Sequence, residues 1–283
     1  MKSTELAAMH NFNIFNELSE HVMLRIYSSR EVSHPGGWVE SKRHRDYDLW
    51  YVREGSIEIR IHEQVLLAAE GDLIFFSPNV TYTATNLGTG CRFIYTHFDF
   101  GLGNHRRILE NFKLSGVISG SMIQEEIRLF TEAYAQHQRK APMSGIRLRG
   151  CLTILIAKIM ECYALGEYQG GFTIPDRKQT MSLQTLEPVF DYIYDRLHQP
   201  LRMGELAALA GMSEKYFIYF FKQVLGVTPG LYIYQLRMNR ARELLHSKRY
   251  TIKQIAGMLG YPDPYSFSKA FKKYYKVPPS QFV

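Results

Sequence analysis

The sequence predicts an α+β chain, with β-structure first and helices after it, and three observations carry this. Short apolar or alternating runs bounded by turn residues fill the first hundred positions. Apolar residues at helical spacing take over near Ser121. In the last hundred residues one pattern of apolar and small residues occurs twice, offset by 49 and then 50 positions.

The β elements come in order. Leu49-Trp50-Tyr51-Val52 is a short apolar run, and Ser56 to Ile61 alternates with period two behind the turn residue Gly55. Gly71-Asp72 introduces Leu73-Ile74-Phe75-Phe76, which Ser77-Pro78-Asn79 ends. Cys91 to Phe100 is a further strand-like segment rich in aromatics. Short strands with regular turns predict a barrel or sandwich over residues 1–105.

Residues 106–170 carry two helical patterns, Ser121 to Arg139 and Ser144 to Leu165. In the second, Ile146, Leu152, Leu155, Ile156, Ile159 and Tyr163 share a helical spacing, while Ile154 and Met160 make it apolar on more than one face. Such a helix is expected to pack on its own domain and on a second subunit, giving a homodimer. Residues 171–184, with Gly171, Pro175 and several polar side chains, read as a linker. Residues 185–283 are expected to be all α.

Composition narrows the function. Nothing after Met1-Lys2-Ser3-Thr4-Glu5 resembles a secretory leader, and the apolar stretch Cys151 to Met160 is half what a bilayer requires. A cytoplasmic protein without a membrane partner is expected. Three widely spaced cysteines, with no C-x-x-C, argue against a disulfide framework or a zinc knuckle. The net charge is +7, and all of it lies in one place: Thr185 to Val283 holds 14 Lys+Arg against 7 Asp+Glu, while the rest balances at 20 and 20. A basic domain attracts a polyanion, and double-stranded DNA is the first candidate.

The repeat gives that charge a shape. Met203, Leu206, Ala207 and Gly211 align with Ile252, Ile255, Ala256 and Gly260. Phe217, Phe221, Lys222, Val227, Pro229 and Tyr232 align with Phe267, Phe271, Lys272, Val277, Pro279 and Phe282. Each copy describes a helix-turn-helix: a short apolar helix, a small residue for close approach, a glycine turn, and an N-cap at Ser213 or Asp263. The second helix buries two phenylalanines and leaves its other face for a groove. Pro229 to Ser247 predicts a connector of roughly 28 Å at 1.5 Å per residue, near the ~34 Å between successive major-groove faces.

These residues resemble the AraC/XylS family of transcription regulators. The resemblance is carried by Glu205-Leu-Ala, Gly211-Met-Ser, Gly226-Val-Thr-Pro, Arg237-x-x-x-Ala241-x-x-Leu244-Leu245, Ile252-x-x-Ile-Ala256, Leu259-Gly-Tyr-x-Asp263-Pro and Pro279-Ser-Gln-Phe282. It implies that Lys215, Ile218 and Tyr219 face bases in the first unit, and Pro264, Tyr265, Ser268 and Lys269 in the second. Lys222, Lys272 and Lys273 are then phosphate contacts, Arg237 ties the connector to the first unit, and RNA polymerase is a further partner. Lys276 departs from the family glycine before Val277 and is expected to shift the last turn.

Residues from about His10 to Phe100 resemble the family's cupin-like effector domain, through Asp46 to Gly55, Gly71 to Pro78, and Tyr95-x-His97-Phe98. That implies a small barrel holding a metabolite, with a carbohydrate as the leading class. His44, Trp50, Tyr82, Tyr95 and His97 are the expected lining. No cofactor is expected. Two alternatives stand beside this reading. One is a regulator whose pocket is degenerate and which answers to a protein partner or to its own level. The other is a cupin metalloenzyme fused to a helical domain. Against the enzyme, His44 is followed by Arg45 and Asp46 rather than x-His, and Tyr82 stands where the later metal histidine falls, so no metal ligands are expected.

Overall fold

A computed structural model of the chain describes residues 15–86, 88–102, 107–112, 114–168, 171 and 183–282. They group into two compact units. One comprises Met23–Gly101 and Arg106–Thr180. The other gathers Met1–Val22, Leu102–His105 and Met181–Val283.

The first unit is a two-sheet β-sandwich followed by a helical hairpin. Its strands are β1 (Val22–Pro35), β2 (Val39–Arg43), β3 (Tyr47–Glu54), β4 (Ser56–Ile61), β5 (Gln64–Ala69), β6 (Leu73–Phe76), β7 (Thr81–Thr85), β8 (Gly90–Leu102) and β9 (Gly116–Ile118). One sheet has the order β1-β8-β3-β6-β9, the other β2-β7-β4-β5. β4 shows why the alternation was readable: Ile57, Ile59 and Ile61 are buried, whereas Glu58 and Arg60 point away from the core. Those isoleucines meet Trp50, Val52, Ile74, Phe76, Tyr82 and Phe93 between the sheets. The core is strongly aromatic, with Trp50 stacked on Phe93 at 4.4 Å and Phe76 on Tyr82 at 3.9 Å between ring centroids.

Helices α1 (Gln124–Gln138) and α2 (Ser144–Ala164) form the hairpin. α2 buries Leu148, Leu152, Leu155, Ile156, Ile159, Met160 and Cys162. Ile146, expected on that face, is instead 56% exposed, and Ile154 and Leu165 are exposed too. Ile146 lies in the first turn of α2, where its helical spacing does not bring it under α1. Cys91 and Cys162 are buried, Cys151 is half-buried, and all three are free thiols. The expected linker at 171–184 lies largely outside the described residues.

The second unit is helical: α3 (Glu187–Asp195), α4 (Met203–Leu209), α5 (Glu214–Leu225), α6 (Pro229–Ser247), α7 (Ile252–Met258) and α8 (Pro264–Tyr275). No described helix is long and apolar enough to cross a membrane. The two repeats fold alike because they carry the same local instructions. Gly211 and Gly260 end α4 and α7 at φ 66° and 73°. A Cβ on Gly260 would lie 3.0 Å from an Arg237 guanidinium nitrogen and 3.1 Å from the Gln199 carbonyl, so both would have to give by a few tenths of an ångström to admit one. The Ser213 hydroxyl accepts from the Tyr216 amide, and the Asp263 carboxylate accepts from the Ser266 amide at 2.7 Å. Thr251 and Gln254 form a reciprocal capping box at the start of α7.

Helix α6 serves two cores. Near its start Tyr232 packs its ring on Phe190 and Phe221. Further along, Met238, Ala241 and Leu244 join Ile255, Ala256, Leu259, Phe267 and Phe271. Arg237 sits between, donating to the Leu197 and Gln199 carbonyls and lying 5.7 Å from the Tyr261 ring centroid. It therefore reaches the second helix-turn-helix as well as the turn after α3.

The expected shift at Lys276 is not found. Lys276 caps α8 at φ 66°, ψ −3°, against φ 70°, ψ −5° for Gly226 after α5. The lysine takes the left-handed conformation and the turn keeps its shape.

Candidate nucleic-acid interface and sensing pocket

The face of α5 away from the phenylalanine core presents Lys215, Tyr219 and Lys222, with Ile218 at its half-buried margin. Tyr219 is 53% exposed. Sequence reasoning passed over Tyr216, which is 47% exposed and whose ring centroid lies 6.3 Å from that of Tyr219. Its position three residues before Tyr219 was the signal for it. On α8, Pro264, Tyr265, Lys269, Lys272 and Lys273 are exposed and Ser268 is half-buried. Tyr265 is 77% exposed, an unusual setting for a tyrosine with nothing to cover it. Both helices bury Phe217 and Phe221, or Phe267 and Phe271, completely, so the outer faces rest on rigid cores.

In the sandwich, the five expected lining residues form one run of ring contacts. Trp50 meets Tyr82 edge-on at 5.5 Å, and Tyr82 lies 6.1 Å from His44. His44 is 4.4 Å from His97, and His97 is 5.4 Å from Tyr95. They are not equally accessible. Trp50 and Tyr82 are 2% and 1% exposed, so they belong to the core and back the site. His44 and His97 keep 24% and 18% of their side-chain surface.

Two carboxylates missed in the sequence complete this cluster. Asp48 is 1% exposed, and Trp50 Nε1 donates to its Oδ2 at 2.7 Å. Its Oδ1 has no hydrogen-bond partner among the described residues. His44 Nε2 and His97 Nε2 lie 3.8 and 4.0 Å from Asp48 Oδ2. Burial drives the Asp48 carboxyl well above the carboxylate range, and burial with the neighbouring His97 pushes the His44 imidazole down. Asp46 stands behind, accepting from His97 Nδ1 at 3.2 Å. These side chains converge from β3, β8 and the turn before β3, and separations such as the 51 residues between Asp46 and His97 left no local sign. The second histidine of this cluster comes from β8 rather than from an H-x-H pair.

A separate cleft of about 430 Å³ lies in the helical unit, lined by Glu17, Tyr194, Leu236, Asn239, Arg240 and Glu243 among others. Its floor is α6, and Asn239 donates to the Glu17 carbonyl and carboxylate across it.

Known proteins resemble the chain in both parts. The family described as Helix-turn-helix domain matches residues 206–283, and the family described as Cupin domain matches residues 29–97. The Msm operon regulatory protein of Streptococcus mutans is 24% identical over 240 residues, 84% of this chain and 84% of that protein. The HTH-type transcriptional regulator YisR of Bacillus subtilis is 24% identical over 255 residues, 83% of this chain and 85% of its own length. The DNA-binding domain of AdpA, solved with a target DNA, is 26% identical over 35% of this chain and 88% of that one, with a TM-score of 0.33. The domain pair and the relatives that share it are those of transcription regulators, not of enzymes. A cupin sandwich joined to a double helix-turn-helix, matched along most of its length by regulators of the same build, makes this chain an AraC-type DNA-binding transcription regulator.

Proposed function

We propose that the protein is a sequence-specific regulator whose DNA affinity answers to a small metabolite bound in the β-sandwich. The observation that carries this is the pairing of two exposed recognition faces with a half-open cluster of rings and carboxylates in the other domain. Lys215, Ile218 and Tyr219, with Pro264, Tyr265, Ser268 and Lys269, are assigned to base readout. Lys222, Lys272 and Lys273 are assigned to phosphates. The second unit offers more hydrogen-bonding tips than the first and takes the larger part in sequence choice.

His44, Tyr95 and His97 are assigned to the effector, with Trp50 and Tyr82 as its backing. A carbohydrate fits a site of aromatic faces with a few polar tips. One relative, 29% identical over 32% of this chain, is named the raffinose operon transcriptional regulatory protein RafR of Pediococcus pentosaceus, in keeping with that class. Ile146 and Ile154 on α2, with Leu165 at its C-cap, are the proposed homodimer contact, and the cytoplasm, where the operator is, the proposed location. Residues 1–105, 106–170, 171–184 and 185–283 are the proposed divisions for effector, dimer, linker and DNA.

Selection of bound sequences from random DNA, with and without a panel of sugars, tests the reading. An enriched site whose occupancy moves with one sugar is expected. Enrichment without any sugar response would leave the DNA function standing and remove the carbohydrate assignment. The same sugar must raise the melting temperature by mass action.

A further inference from the structure

We infer that the cleft in the helical unit is a second ligand site, one that takes a small primary aliphatic amine. Its ammonium group lies against Glu17 and Asn239, and its chain over Leu197, Leu236 and Leu259. The site shares no residue with the sandwich pocket and stands whether or not that pocket takes an effector. Its volume of about 430 Å³ falls in the roughly 300–1,000 Å³ range of small-molecule sites. Leu236, Asn239, Arg240 and Glu243 share one face of α6 at helical spacing and form the floor. Tyr194 comes from α3, Leu197 from the turn after it, and Leu259 from the end of α7.

The polar lining accepts hydrogen bonds more than it donates them. Asn239 Nδ2 lies 3.1 Å from the Glu17 carbonyl and 3.0 Å from Glu17 Oε2. Both of those atoms only accept, so the amide nitrogen must face them, and both of its hydrogens are engaged. Asn239 is left with Oδ1 to offer, beside an ionised carboxylate. Arg240 donates to Glu243 Oε2 at 2.6 Å, so its guanidinium is already held by an acid. Below these groups lie Leu236 and Leu259, 3% and 1% exposed. An ammonium has three donors and no acceptor and fits such a set, and a methylene chain fits the leucines. An anionic ligand would meet acceptors and be repelled. The cleft also spans the repeat. Tyr194 lies one turn beyond Phe190, which packs on Phe221 and Tyr232 in the first core, while Leu259 belongs to the second. A bound amine ties α3 to α7 across α6 and narrows the angles open to the two recognition helices.

The test titrates the full-length chain, free of DNA, with n-hexylamine hydrochloride by calorimetry. One site per chain is expected. 1-Hexanol keeps the chain and drops the charge, methylammonium chloride does the reverse, and each should bind more weakly by roughly 10-fold or more. Spermidine trihydrochloride at matched ionic strength separates the sources: competition with hexylamine for the one site supports a polyamine as the natural ligand, and hexylamine binding alone a monoamine. Glu17→Gln keeps the shape, removes the charge and should weaken hexylamine roughly 10- to 100-fold. Glu243→Gln releases the Arg240 guanidinium into the cleft and should weaken it as well. Glu63→Gln, exposed on the turn between β4 and β5, should change nothing. Circular dichroism shows which variants are folded, and only those count. Saturating hexylamine should also slow amide exchange at residues 194–198 and in α7 together. Absence of stoichiometric binding by the wild type, equal binding of 1-hexanol, or binding unchanged in the folded Glu17→Gln and Glu243→Gln variants overturns the inference. Binding that leaves α7 exchange unchanged removes the tie between the two helix-turn-helix units.

Discussion

Lys276→Gly should stabilise the second helix-turn-helix. Lys276 caps α8 in the left-handed region, at φ 66°, where a Cβ costs an L-residue about 1–2 kcal/mol. Glycine removes that cost but returns roughly 0.4–1 kcal/mol through its freer unfolded chain. The substitution also removes the hydrogen bond that Lys276 Nζ donates to the Lys273 carbonyl at 3.0 Å, on an exposed surface. The removed charge stands near Lys272 and Lys273, so its favourable effect at a helix C-terminus and its repulsion from those neighbours largely cancel. The net gain is about 0.5–1 kcal/mol. Amide hydrogen exchange in the full-length chain reads it locally: α8 amides that open with the whole unit should slow by roughly two- to five-fold, each 1.4 kcal/mol being tenfold. Gly226→Ala, made at the equivalent position after α5, should move α5 amides the other way by about 1 kcal/mol. If Lys276→Gly leaves α8 exchange unchanged or accelerates it, the left-handed cap is not strained and the reasoning fails.

Four further outcomes follow from the same structure. Lys269→Ala should weaken a cognate site by about 1–3 kcal/mol and relax preference at one base pair, and equal losses on cognate and random DNA would remove Lys269 from base readout. Lys272→Ala and Lys273→Ala should weaken all sequences alike and each lower the slope of log affinity against log salt by about one, measured by anisotropy titrations. Phe271→Ala, at a position with 0% exposure, should cost about 3–5 kcal/mol in urea unfolding and take operator binding with it. Asp263→Ala should lower the unfolding midpoint of the helical unit, with Asp263→Ser losing less. Hydrogen bonds from Ser266 hold the Asp263 carboxyl below its ordinary value. Its charged-cap contribution is thus present above the ordinary carboxylate range and fades as pH falls through the lowered value, so wild type and Asp263→Ala should converge in acid.

The helical unit was legible because its signals are local. Ser213, Asp263, Gly211, Gly260 and the phenylalanine pairs each act within one or two turns, and the repeat states them twice. The sandwich was legible only in part. β4 and β6 lie at the core and read cleanly, but β1 is an edge strand whose residues are mostly half-buried or exposed, so no strict alternation marks it. The β4–β5 hairpin turns at His62, which takes φ 54° without being Gly or Asn, and so gave no turn signal. The pocket was half visible. Its aromatic and histidine members stood out by type, but Asp46 and Asp48 carried no mark of a site in the sequence, because only the pairing of β3 with β8 brings them to His97. Trp50 and Tyr82 lie beside the histidines but are covered by the core, since position in a strand says which side a ring faces but not how deeply its neighbours cover it.

Because α6 lends one end to each core, it acts as a phase-setting shaft between the two recognition helices. One residue added within Tyr232 to Leu244 would advance the second unit by only about 1.5 Å but rotate it by about 100°. No shift of operator spacing can follow such a turn, since each added base pair advances about 3.4 Å and rotates by about a third as much. Angle and reach agree again only after about 25 added residues, which make roughly seven helical turns and about 37 Å. That length matches about eleven base pairs, close to one whole turn of the duplex, so a shaft extended by this amount should select half-sites one DNA turn further apart.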